Sequence, residues 1–477
     1  MSCTTVLVGK KASYDGSTLI ARNDDGSFDV KHLITVEKQP RKYKSVIAKL
    51  EIELPENPLR YTCVPNVDRT DGMWPAQGIN SANVAMSATE TLTSNALVLG
   101  ADPYVSYKKP EKRGEKAVAG GIGEEDLVAI VLPYIKTARE GVLRLGALLE
   151  QYGTYEPNGI AFSDKDEVWW LETIGGHHWL ARRLYDEECV IMPNQFGIDC
   201  FDFEDALGAG EMNLCSKDLL EFVKANHLDL NQDPLSNPRN IFGSHTDADH
   251  VYNTPRGWYM ARYFMPTRYQ WEGEGAEFTP ESDNIPWSFV PERKITVEDI
   301  KYILGSHYQG TPYDPYSNGE FKGKYRSIGI NRTGTMSVCQ IRGYMPESKQ
   351  ALQWVCFGPV TFTALLPVYT MADRIPAYLS KVTTDVSTEN FYWASRLIAA
   401  LAEPHFFSTI PLIERYQAAC ANAAHRLINE YDAKGDDLNA ANEALCAEIK
   451  QETVKALNAV TLEASKCMKN GYHRGDN

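Results

Sequence analysis

The order of apolar and polar positions in the first 25 residues predicts a β-hairpin at the start of the chain. Residues 4–9 are β-branched or apolar, and residues 14–17 (Tyr-Asp-Gly-Ser) have the composition of a tight turn. Residues 18–21 form a second apolar segment, which ends at a polar run over residues 22–26. Two short apolar segments around such a turn are typical of antiparallel strands, so we expect the polar run to lie near the start of the first strand.

A series of apolar segments separated by short turns predicts further antiparallel strands. Residues 159–192 contain four such segments, and we interpret them as one meander that ends at Pro193. The four segments cover residues 160–163, 168–172, 179–182 and 189–192. Other expected strands cover residues 33–36, 61–64, 83–88, 334–342 and 351–357.

Helical periodicity is strongest near the C terminus. Between Pro411 and Gly471 there is one glycine, Gly435, and no proline, and apolar residues recur every three or four positions. This pattern predicts two amphipathic helices that are separated at Gly435. An earlier helical stretch is expected over residues 124–153, after a glycine-rich loop at 120–123 whose spacing does not fit a dinucleotide-binding motif.

The arrangement of these elements favours the α+β class, with helices covering the faces of antiparallel sheets. We expect the main domain to span residues 1–385 and a helical region, residues 386–477, to pack on it. Residues 201–330 are rich in Pro, Asn, Asp, Tyr and Trp, and we interpret them as irregular structure with short helices that walls a site.

The overall charge of the chain limits its partners. The chain has 477 residues and a formal net charge of −15, which argues against nucleic-acid and anionic-membrane partners because such binding depends on clustered cations. No apolar run reaches the about 18 residues that a membrane span needs, and the first residues lack the basic segment of a signal peptide. The ten cysteines include no Cys-x-x-Cys pair, so we expect reduced thiols and a cytoplasmic protein.

Cys3 is the cysteine whose neighbourhood suggests catalysis. The predicted hairpin returns the chain so that Arg22 and Asp25 lie near Cys3, and a thiol, a cation and a carboxylate then meet at one sheet edge. A thiol with a pKa of about 8.5 needs a base or a nearby cation to become a nucleophile at neutral pH. The alternative is that Cys3 is a buried strand residue, that Arg22 and Asp25 form a surface ion pair, and that the site lies elsewhere.

Removal of Met1 and Ser2 would give Cys3 a free α-amine with a pKa of about 7.7–8.0. Such an amine is suited to act as the general base for the thiol, and covalent geometry fixes its position. In this scheme Arg22 favours the thiolate, and Asp25 holds and orients the α-ammonium group. Loss of Met1 alone would expose Ser2, so the Ser2–Cys3 bond must also be cleaved, which Cys3 could do by attacking the preceding carbonyl.

Residues 3–25 closely resemble the N terminus of the bacterial dipeptidase A family, which are cysteine peptidases of the N-terminal-nucleophile (Ntn) hydrolase superfamily. The resemblance continues through residues 78–91, 169–172 (Trp-Trp-Leu-Glu) and 193–196 (Pro-Asn-Gln-Phe), and it covers most of the chain. The family is related to secernins and, more distantly, to choloylglycine hydrolases and penicillin V acylases. It implies an αββα sandwich, two antiparallel sheets between helical layers, with an added C-terminal helical region.

The resemblance also implies roles for individual residues. Cys3 is the expected nucleophile of the processed chain, and Arg22 and Asp25 match the Arg-x-x-Asp pattern of the family. Asn194 matches the asparagine that contributes to the oxyanion site or to hydrogen bonding of the amine. Arg256 is a weaker match to a second active-site arginine.

Two further residues are expected to bind substrate. The amidase relatives have an asparagine where Glu90 aligns, so a backbone N–H near Thr89 is the candidate for the second oxyanion donor, and Glu90 is a candidate contact for a substrate amine. The implied function is hydrolysis of dipeptides through a thioester, with small peptides as partners and no metal or organic cofactor. Formation of a homo-oligomer is left open.

Other functions are weighed against this one. An Ntn amidase acting on non-peptide amides would use the same chemistry, and a secernin-like protein would keep the fold without catalysis. His245, Asp247, Asp249 and His250 have metal-binding side chains, but their spacing fits no closed metal motif, and we favour a polar loop.

Overall fold

The computed structural model describes residues 3–109, 112, 115–231, 237–435 and 437–469. Its strands, numbered along the chain, are β1 Thr4–Val8, β2 Thr18–Asp24, β3 Ile34–Val36, β4 Lys42–Lys44, β5 Glu51–Glu53, β6 Tyr61–Cys63, β7 Gln77–Ile79, β8 Ala85–Thr91, β9 Ser106–Lys108, β10 Val118–Ala119, β11 Asn158–Ser163, β12 Val168–Ile174, β13 His178–Arg183, β14 Cys189–Met192, β15 Asn213–Cys215, β16 Ser288–Phe289, β17 Thr335–Ile341, β18 Ala351–Phe357 and β19 Leu366–Tyr369.

The helices are mostly short in the middle of the chain and long at its end. They are α1 Ala96–Ala101, α2 Leu127–Val131, α3 Ala138–Tyr152, α4 Phe203–Leu207, α5 Leu219–Ala225, α6 Pro238–Phe242, α7 Asp249–Tyr252, α8 Thr254–Phe264, α9 Val297–Leu304, α10 Ala377–Ser380, α11 Phe391–Ala402, α12 Phe406–Lys434 and α13 Leu438–Lys466. Short 3₁₀ turns cover Leu132–Tyr134, Glu347–Lys349, Val360–Phe362 and Glu403–His405.

The first sheet has seven antiparallel strands in the order β16-β14-β1-β2-β17-β18-β19. β1 and β2 form the predicted hairpin, with Thr5 opposite Arg22 and Thr4 opposite Asn23. The hairpin prediction is confirmed, but the polar run belongs partly to β2, which continues to Asp24. These polar residues remain in the strand because β2 is paired on both sides, with β1 and with β17, and its backbone groups are satisfied there.

The second sheet has six strands in the order β15-β13-β12-β11-β8-β7. β11, β12 and β13 form the predicted meander. The fourth strand expected in that meander, β14, instead pairs with β1 in the first sheet, so this part of the prediction is wrong. All four residues of β14 are buried, and a uniformly apolar strand carries no pattern that distinguishes one sheet from the other.

β8 runs further than predicted, through Thr89 and Glu90 to Thr91. Its pairing with β11 shifts in register, because Glu90 lies opposite Gly159 while Ala88 lies opposite Ile160. Thr89 is therefore the extra residue of a β-bulge. Bulges turn a side chain out of the regular alternation and are common next to active sites.

In the described parts of the chain, three apolar cores hold the layers together. The core shared by the two sheets contains Leu7 and Ile20 from the first sheet and Ala161 and Trp170 from the second. Another core joins the second sheet to α2 and α3. The third joins the first sheet to α8, α9 and the C-terminal helices. Antiparallel sheets covered by helices define the α+β class, and this prediction is confirmed.

The helical prediction for residues 124–153 is right in type but wrong in continuity. α2 ends at Val131, a 3₁₀ turn covers Leu132–Tyr134, and α3 begins at Ala138 after the N-cap Thr137. Pro133 explains the break, since a proline has no N–H for the helical hydrogen bond and its ring clashes with the preceding turn.

The two C-terminal helices are confirmed, and they are separated at Gly435, whose φ of 138° suits glycine. The first of them begins at Phe406, earlier than predicted, with Pro411 inside it. Asn442 of α13 bonds the backbone of Tyr369 in β19, its side chain accepting from the N–H at 2.8 Å and donating to the carbonyl at 3.0 Å. The division of the chain near residue 386 stays a prediction.

Residues 201–330 are more regular than expected. They contain the short helices α4 to α9, and β15 and β16 each add an edge strand to one of the two sheets. In the described ranges, no helix is both long enough and apolar enough to cross a membrane.

Candidate active site

Cys3 lies immediately before β1 and is fully buried. Arg22, on the neighbouring strand β2, donates a hydrogen bond from Nη1 to the Cys3 Sγ at 3.0 Å. The other donors of this guanidinium bond Ser87 Oγ at 3.1 Å and the carbonyl oxygens of Ala76, Ala88 and Thr89 at 3.2, 3.0 and 2.7 Å. The hairpin thus brings the predicted thiol and arginine together, and the second sheet fixes the arginine.

Burial raises the pKa of the Cys3 thiol to about 12. The positive charge of Arg22 lowers this pKa, whereas the charges of Asp24, Glu90 and Glu124 raise it. Although Arg22 contacts the sulfur, the pKa of the thiol stays far above 7, so the thiol is protonated at neutral pH. A nucleophilic role requires a base close to the sulfur.

Asp24 and Asp25 have different partners. Asp25 accepts from Arg326 Nη2 at 2.5 Å and from Thr333 Oγ1 at 2.6 Å, so the described contacts do not join it to Cys3. Asp24 lies on the same strand as Arg22 and accepts from its Nη1 at 3.4 Å. Among the described contacts, the carboxylate that joins the thiol and Arg22 is therefore that of Asp24, whereas Asp25 was expected there.

Arg256, on α8, contacts the backbone of Cys3. Its Nη1 donates to the Cys3 carbonyl oxygen and, at 2.7 Å, to Thr4 Oγ1. Its Nη2 donates to Asn194 Oδ1 at 2.8 Å and to Asn253 Oδ1 at 2.7 Å. Burial, together with the nearby charge of Arg326, lowers the pKa of Arg256 to about 9.

Asn194 follows β14 and is brought to Cys3 because β14 pairs with β1. Its side chain accepts from Arg256, and its Nδ2 donates to the Thr91 carbonyl at 2.9 Å. Its backbone N–H donates to Glu90 Oε1 at 2.9 Å. The structure therefore joins three of the predicted site residues, Asn194, Arg256 and Glu90, in one buried network.

Glu90 and Thr89, predicted to bind substrate, have different surroundings. Both oxygens of Glu90 are occupied, since Oε2 also accepts from Thr5 Oγ1 at 2.7 Å. Burial raises the pKa of this carboxyl to about 7, against the lowering effect of Arg256 and of its hydrogen bonds. The Thr89 hydroxyl, by contrast, is buried and bonds no described residue.

Glu172 is a site-supporting residue to which the sequence analysis assigned no role. It is buried in β12, and its Oε1 accepts from the Gly197 N–H at 2.6 Å and from Trp170 Nε1 at 3.0 Å. These bonds anchor the segment that follows Asn194. A charged residue inside an otherwise apolar strand was the available signal, because such a residue needs buried partners.

The described residues contain no group of three or more His, Cys, Asp or Glu side chains arranged to hold a metal ion. In the polar loop, Asp249 Oδ2 accepts from Ser244 Oγ and Thr246 Oγ1, both at 2.9 Å. His250 Nε2 lies 3.1 Å from Asp283 Oδ1. These polar side chains of the loop thus form hydrogen bonds with one another and with Asp283.

The sequence comparisons define the class of protein. The chain belongs to Peptidase family C69, whose sequence pattern matches residues 2–419. It is 52% identical to the dipeptidase of Bifidobacterium longum (strain NCC 2705), over the whole of both chains. It is 47% identical to a probable dipeptidase A of Streptococcus pyogenes serotype M3 (strain SSI-1), again over both whole chains. Dipeptidase A of Lactobacillus helveticus is 40% identical over 98% of this chain and 97% of that one. The resemblance to the dipeptidase A family is confirmed.

Proposed function

We propose that this chain is a cysteine-type dipeptidase of the Ntn class, in which Cys3 becomes the first residue of the mature enzyme. The observation that carries the proposal is the 3.0 Å hydrogen bond from the buried Arg22 guanidinium to the Cys3 Sγ. Membership of Peptidase family C69 and relatives named dipeptidase support the hydrolase class and peptide substrates.

An Ntn sandwich is the corresponding proposal for the fold. It is supported by two antiparallel sheets that share one core and by helices packed against each sheet. The position of Cys3 just before a central strand of the first sheet fits a nucleophile that begins the mature chain.

The proposed reaction uses the α-amine that Cys3 gains when the first two residues are removed. That amine takes the thiol proton, and the sulfur attacks the carbonyl carbon of the peptide bond. The tetrahedral intermediate collapses to a thioester, and the α-ammonium group returns the proton to the leaving amino group. A water molecule, deprotonated by the same amine, then hydrolyses the thioester and restores the thiol.

This scheme needs the amine because the pKa of the buried thiol is about 12 when Arg22 alone assists it. Removal of Met1 and Ser2, including cleavage of the Ser2–Cys3 bond by Cys3 itself, lies outside the described residues and remains part of the proposal. Asp25 keeps its proposed role as a partner of the new ammonium group.

Two groups are proposed to stabilise the oxyanion. Asn194 is held rigidly by Arg256 and Glu90, which suits a preorganised donor. The backbone N–H near Thr89, at the bulge of β8, stays the second proposed donor. The Thr89 carbonyl is bonded to the same Arg22 that contacts the sulfur, and the buried Thr89 hydroxyl bonds no described residue. Arg256 acts as a positioning residue because it holds both the Cys3 carbonyl and Asn194.

The test compares Cys3→Ala and Cys3→Ser with Cys467→Ala, which removes an exposed thiol after α13. We expect both Cys3 variants to lose at least about 10⁴-fold in kcat/KM on Ala-Ala, because the covalent route is lost. Cys467→Ala should stay near wild type. Intact-mass analysis should show loss of Met1 and Ser2 in the wild type and retention of Ser2 in Cys3→Ala.

Dipeptide hydrolysis by Cys3→Ala at the wild-type rate would contradict the mechanism, as would an active wild-type enzyme that still carries Met1 or Ser2. A panel of dipeptides and acyl amides separates the dipeptidase from an Ntn amidase. Turnover of acyl amides with no turnover of dipeptides would replace the proposed substrate class.

A further inference from the structure

Glu124 follows the glycine-rich loop at residues 120–123 and precedes α2. The loop is held tightly: at Gly121, with a φ of 73°, an added Cβ would lie 2.5 Å from the Gly153 carbonyl oxygen. The backbone N–H of Glu124 donates to Glu156 Oε1 at 2.9 Å. These contacts fix the backbone of Glu124, and only 5% of the residue is exposed to solvent.

The next two residues are also acidic, but their carboxylates have partners. Glu125 Oε2 accepts from the Tyr155 hydroxyl at 2.7 Å, and Asp126 Oδ1 accepts from the Tyr43 hydroxyl at 2.7 Å. The Glu124 carboxylate, in contrast, forms no hydrogen bond or ion pair with any described residue. A buried carboxylate without such partners is costly unless it is neutral or meets a cation.

The Glu124 side chain lines a small cavity of about 10 Å³, room for one group the size of a water molecule or an ammonium. The cavity is bounded by Asp24, Lys31, Trp74, Ala76, Ala88 and Glu124. The Arg22 guanidinium connects the cavity wall to the nucleophile. Its Nη2 donates to the carbonyls of Ala76 and Ala88, which line the cavity, and its Nη1 donates to the Cys3 Sγ. The charge of Glu124 also acts on the thiol, whose pKa it raises.

Of the two carboxylates that line this cavity, one forms ion pairs and the other does not. Asp24 is paired with Lys31 at 2.6 Å and with Arg22 at 3.4 Å. Among the described residues, Glu124 is therefore the carboxylate in the cavity wall that forms no ion pair, although the more distant charge of Arg22 lowers its pKa. Burial, together with the neighbouring charge of Glu156, raises the pKa of Glu124 to about 8, so a cation placed in the cavity would favour its ionised form at neutral pH.

The chemistry of a dipeptide supplies such a cation close to the carbonyl that is attacked. Its α-ammonium nitrogen is about 2.5 Å from the carbonyl carbon that is attacked, since only the α-carbon separates them. A group that binds this ammonium must therefore lie next to the nucleophile. Trp74 also lines the cavity, and an aromatic residue is a favourable neighbour for a cation.

We propose that the carboxylate of Glu124 binds the α-ammonium group of the dipeptide and so makes a free amino terminus a condition for cleavage. This inference rests on the proposed function, because it assumes that Cys3 attacks the adjacent carbonyl. Glu90, whose two oxygens are occupied, then supports Asn194 and is not the amine-binding group.

A second primary amine could reach the same carboxylate, namely the α-amine of the processed Cys3. The two sources are separated by a pair of substrates that differ only in the amino group. Ala-Ala carries the α-ammonium group, whereas propionyl-Ala has a hydrogen in its place. The enzyme's own amine is present with both, so its loss affects both substrates equally.

The experiment measures kcat/KM of the wild type, Glu124→Gln and Glu125→Gln on both substrates, with mass spectrometry of released alanine. We expect Glu124→Gln to lose about 10²- to 10³-fold on Ala-Ala, mainly through KM, and to stay within about threefold of wild type on propionyl-Ala. Glu125→Gln is the matched control and should be near wild type on both. If propionyl-Ala turnover is below detection, its inhibition constant against Ala-Ala should be the same in wild type and Glu124→Gln.

Three outcomes would overturn the inference: no loss on Ala-Ala, an equal loss on both substrates, or failure of Glu124→Gln to lose its first two residues by intact mass. The last two would assign Glu124 to the enzyme's own amine or to maturation. Thermal melting of both variants checks folding. The proposed function is tested separately. Dipeptide hydrolysis by Cys3→Ala at the wild-type rate would contradict that function, whatever the result for Glu124→Gln.

Discussion

Arg22 and Arg256 are both buried against Cys3, yet their surroundings differ. Arg22 contacts the sulfur and lies among negative groups, whereas Arg256 contacts the Cys3 carbonyl and neutral amides and lies near Arg326. Burial by itself would lower the pKa of Arg22, but the charges of Cys3 and Asp24 raise it above its ordinary value. Burial lowers the pKa of Arg256 to about 9.

The difference indicates two separate tasks for two identical side chains. A guanidinium surrounded by negative charge stabilises a further negative charge at the sulfur. A guanidinium that donates to a carbonyl and two asparagine side chains fixes backbone and side-chain positions, and a fork of rigid donors suits this task. The comparison predicts that substitutions of the two arginines change different measurable properties.

The largest effect is expected for Arg22→Lys. A lysine cannot reproduce the contacts of Nε, Nη1 and Nη2 with the sulfur, Ser87 and three carbonyls. We expect kcat/KM to fall by about 10³-fold, since each lost hydrogen bond to a charged group is worth about tenfold or more. Alkylation of Cys3 by iodoacetamide should slow at neutral pH.

The alkylation rate is the specific measurement for Arg22, because a merely destabilised protein would expose Cys3 and react faster. A thermal melt in parallel shows the folded fraction. An Arg22→Lys protein that is folded and alkylated at the wild-type rate would contradict a role of Arg22 at the sulfur.

A smaller loss of activity is expected for Arg256→Lys. One ammonium group cannot hold the Cys3 carbonyl, Thr4, Asn194 and Asn253 together, so Asn194, the proposed oxyanion donor, becomes less well placed. We expect kcat to fall by about 10- to 10²-fold with KM nearly unchanged, and the rate of Cys3 alkylation to stay within about threefold. Equal slowing of alkylation in Arg22→Lys and Arg256→Lys would remove the distinction between the two.

The smallest effect concerns Glu90, whose charge is felt by both arginines. Its pKa is raised from 4.5 to about 7, so between these values the folded chain holds a proton that the unfolded chain has lost. The free energy of unfolding should therefore fall as pH rises from 4.5 through 7. Glu90→Gln has no such proton. The slope of its free energy of unfolding against pH should therefore be less negative than that of the wild type, by up to about 1.4 kcal/mol per pH unit.

Urea unfolding of the wild type and Glu90→Gln at pH 5, 6 and 7 measures this difference. Glu187→Gln is a suitable control, since Glu187 pairs with Lys11 on the surface. Parallel pH dependences in wild type and Glu90→Gln would show that Glu90 is already ionised in the fold at pH 5.

The parts of the site that the sequence predicted are those joined by local structure. Cys3 and Arg22 meet because a tight turn pairs β1 with β2, and both strands are visible as apolar segments. Asn194 could be assigned only by resemblance, because its position depends on β14 leaving the meander to pair with β1. The apolar pattern of β14 suits either sheet.

The same limit applies to the carboxylates. Asp24 and Asp25 are neighbours in the sequence, but one lies on the strand beside Arg22 and the other contacts Arg326 and Thr333, more than 300 positions later. Nothing in the local pattern separates Glu124 from Glu125 and Asp126. Only distant residues, Tyr155 and Tyr43, decide that Glu125 and Asp126 have a hydrogen-bond partner for their carboxylates and that Glu124 does not.

The sequence by itself determined the hairpin, the apolar strands, the two C-terminal helices, the α+β class and the family, because turn residues and hydrophobic periodicity act over a few positions. The tertiary structure decided which strand borders β1, which residue of β8 bulges, and which buried acid faces a cavity. Those outcomes depend on the free energy of contacts between segments far apart in the chain, and segments of similar apolar character do not reveal their partners in advance.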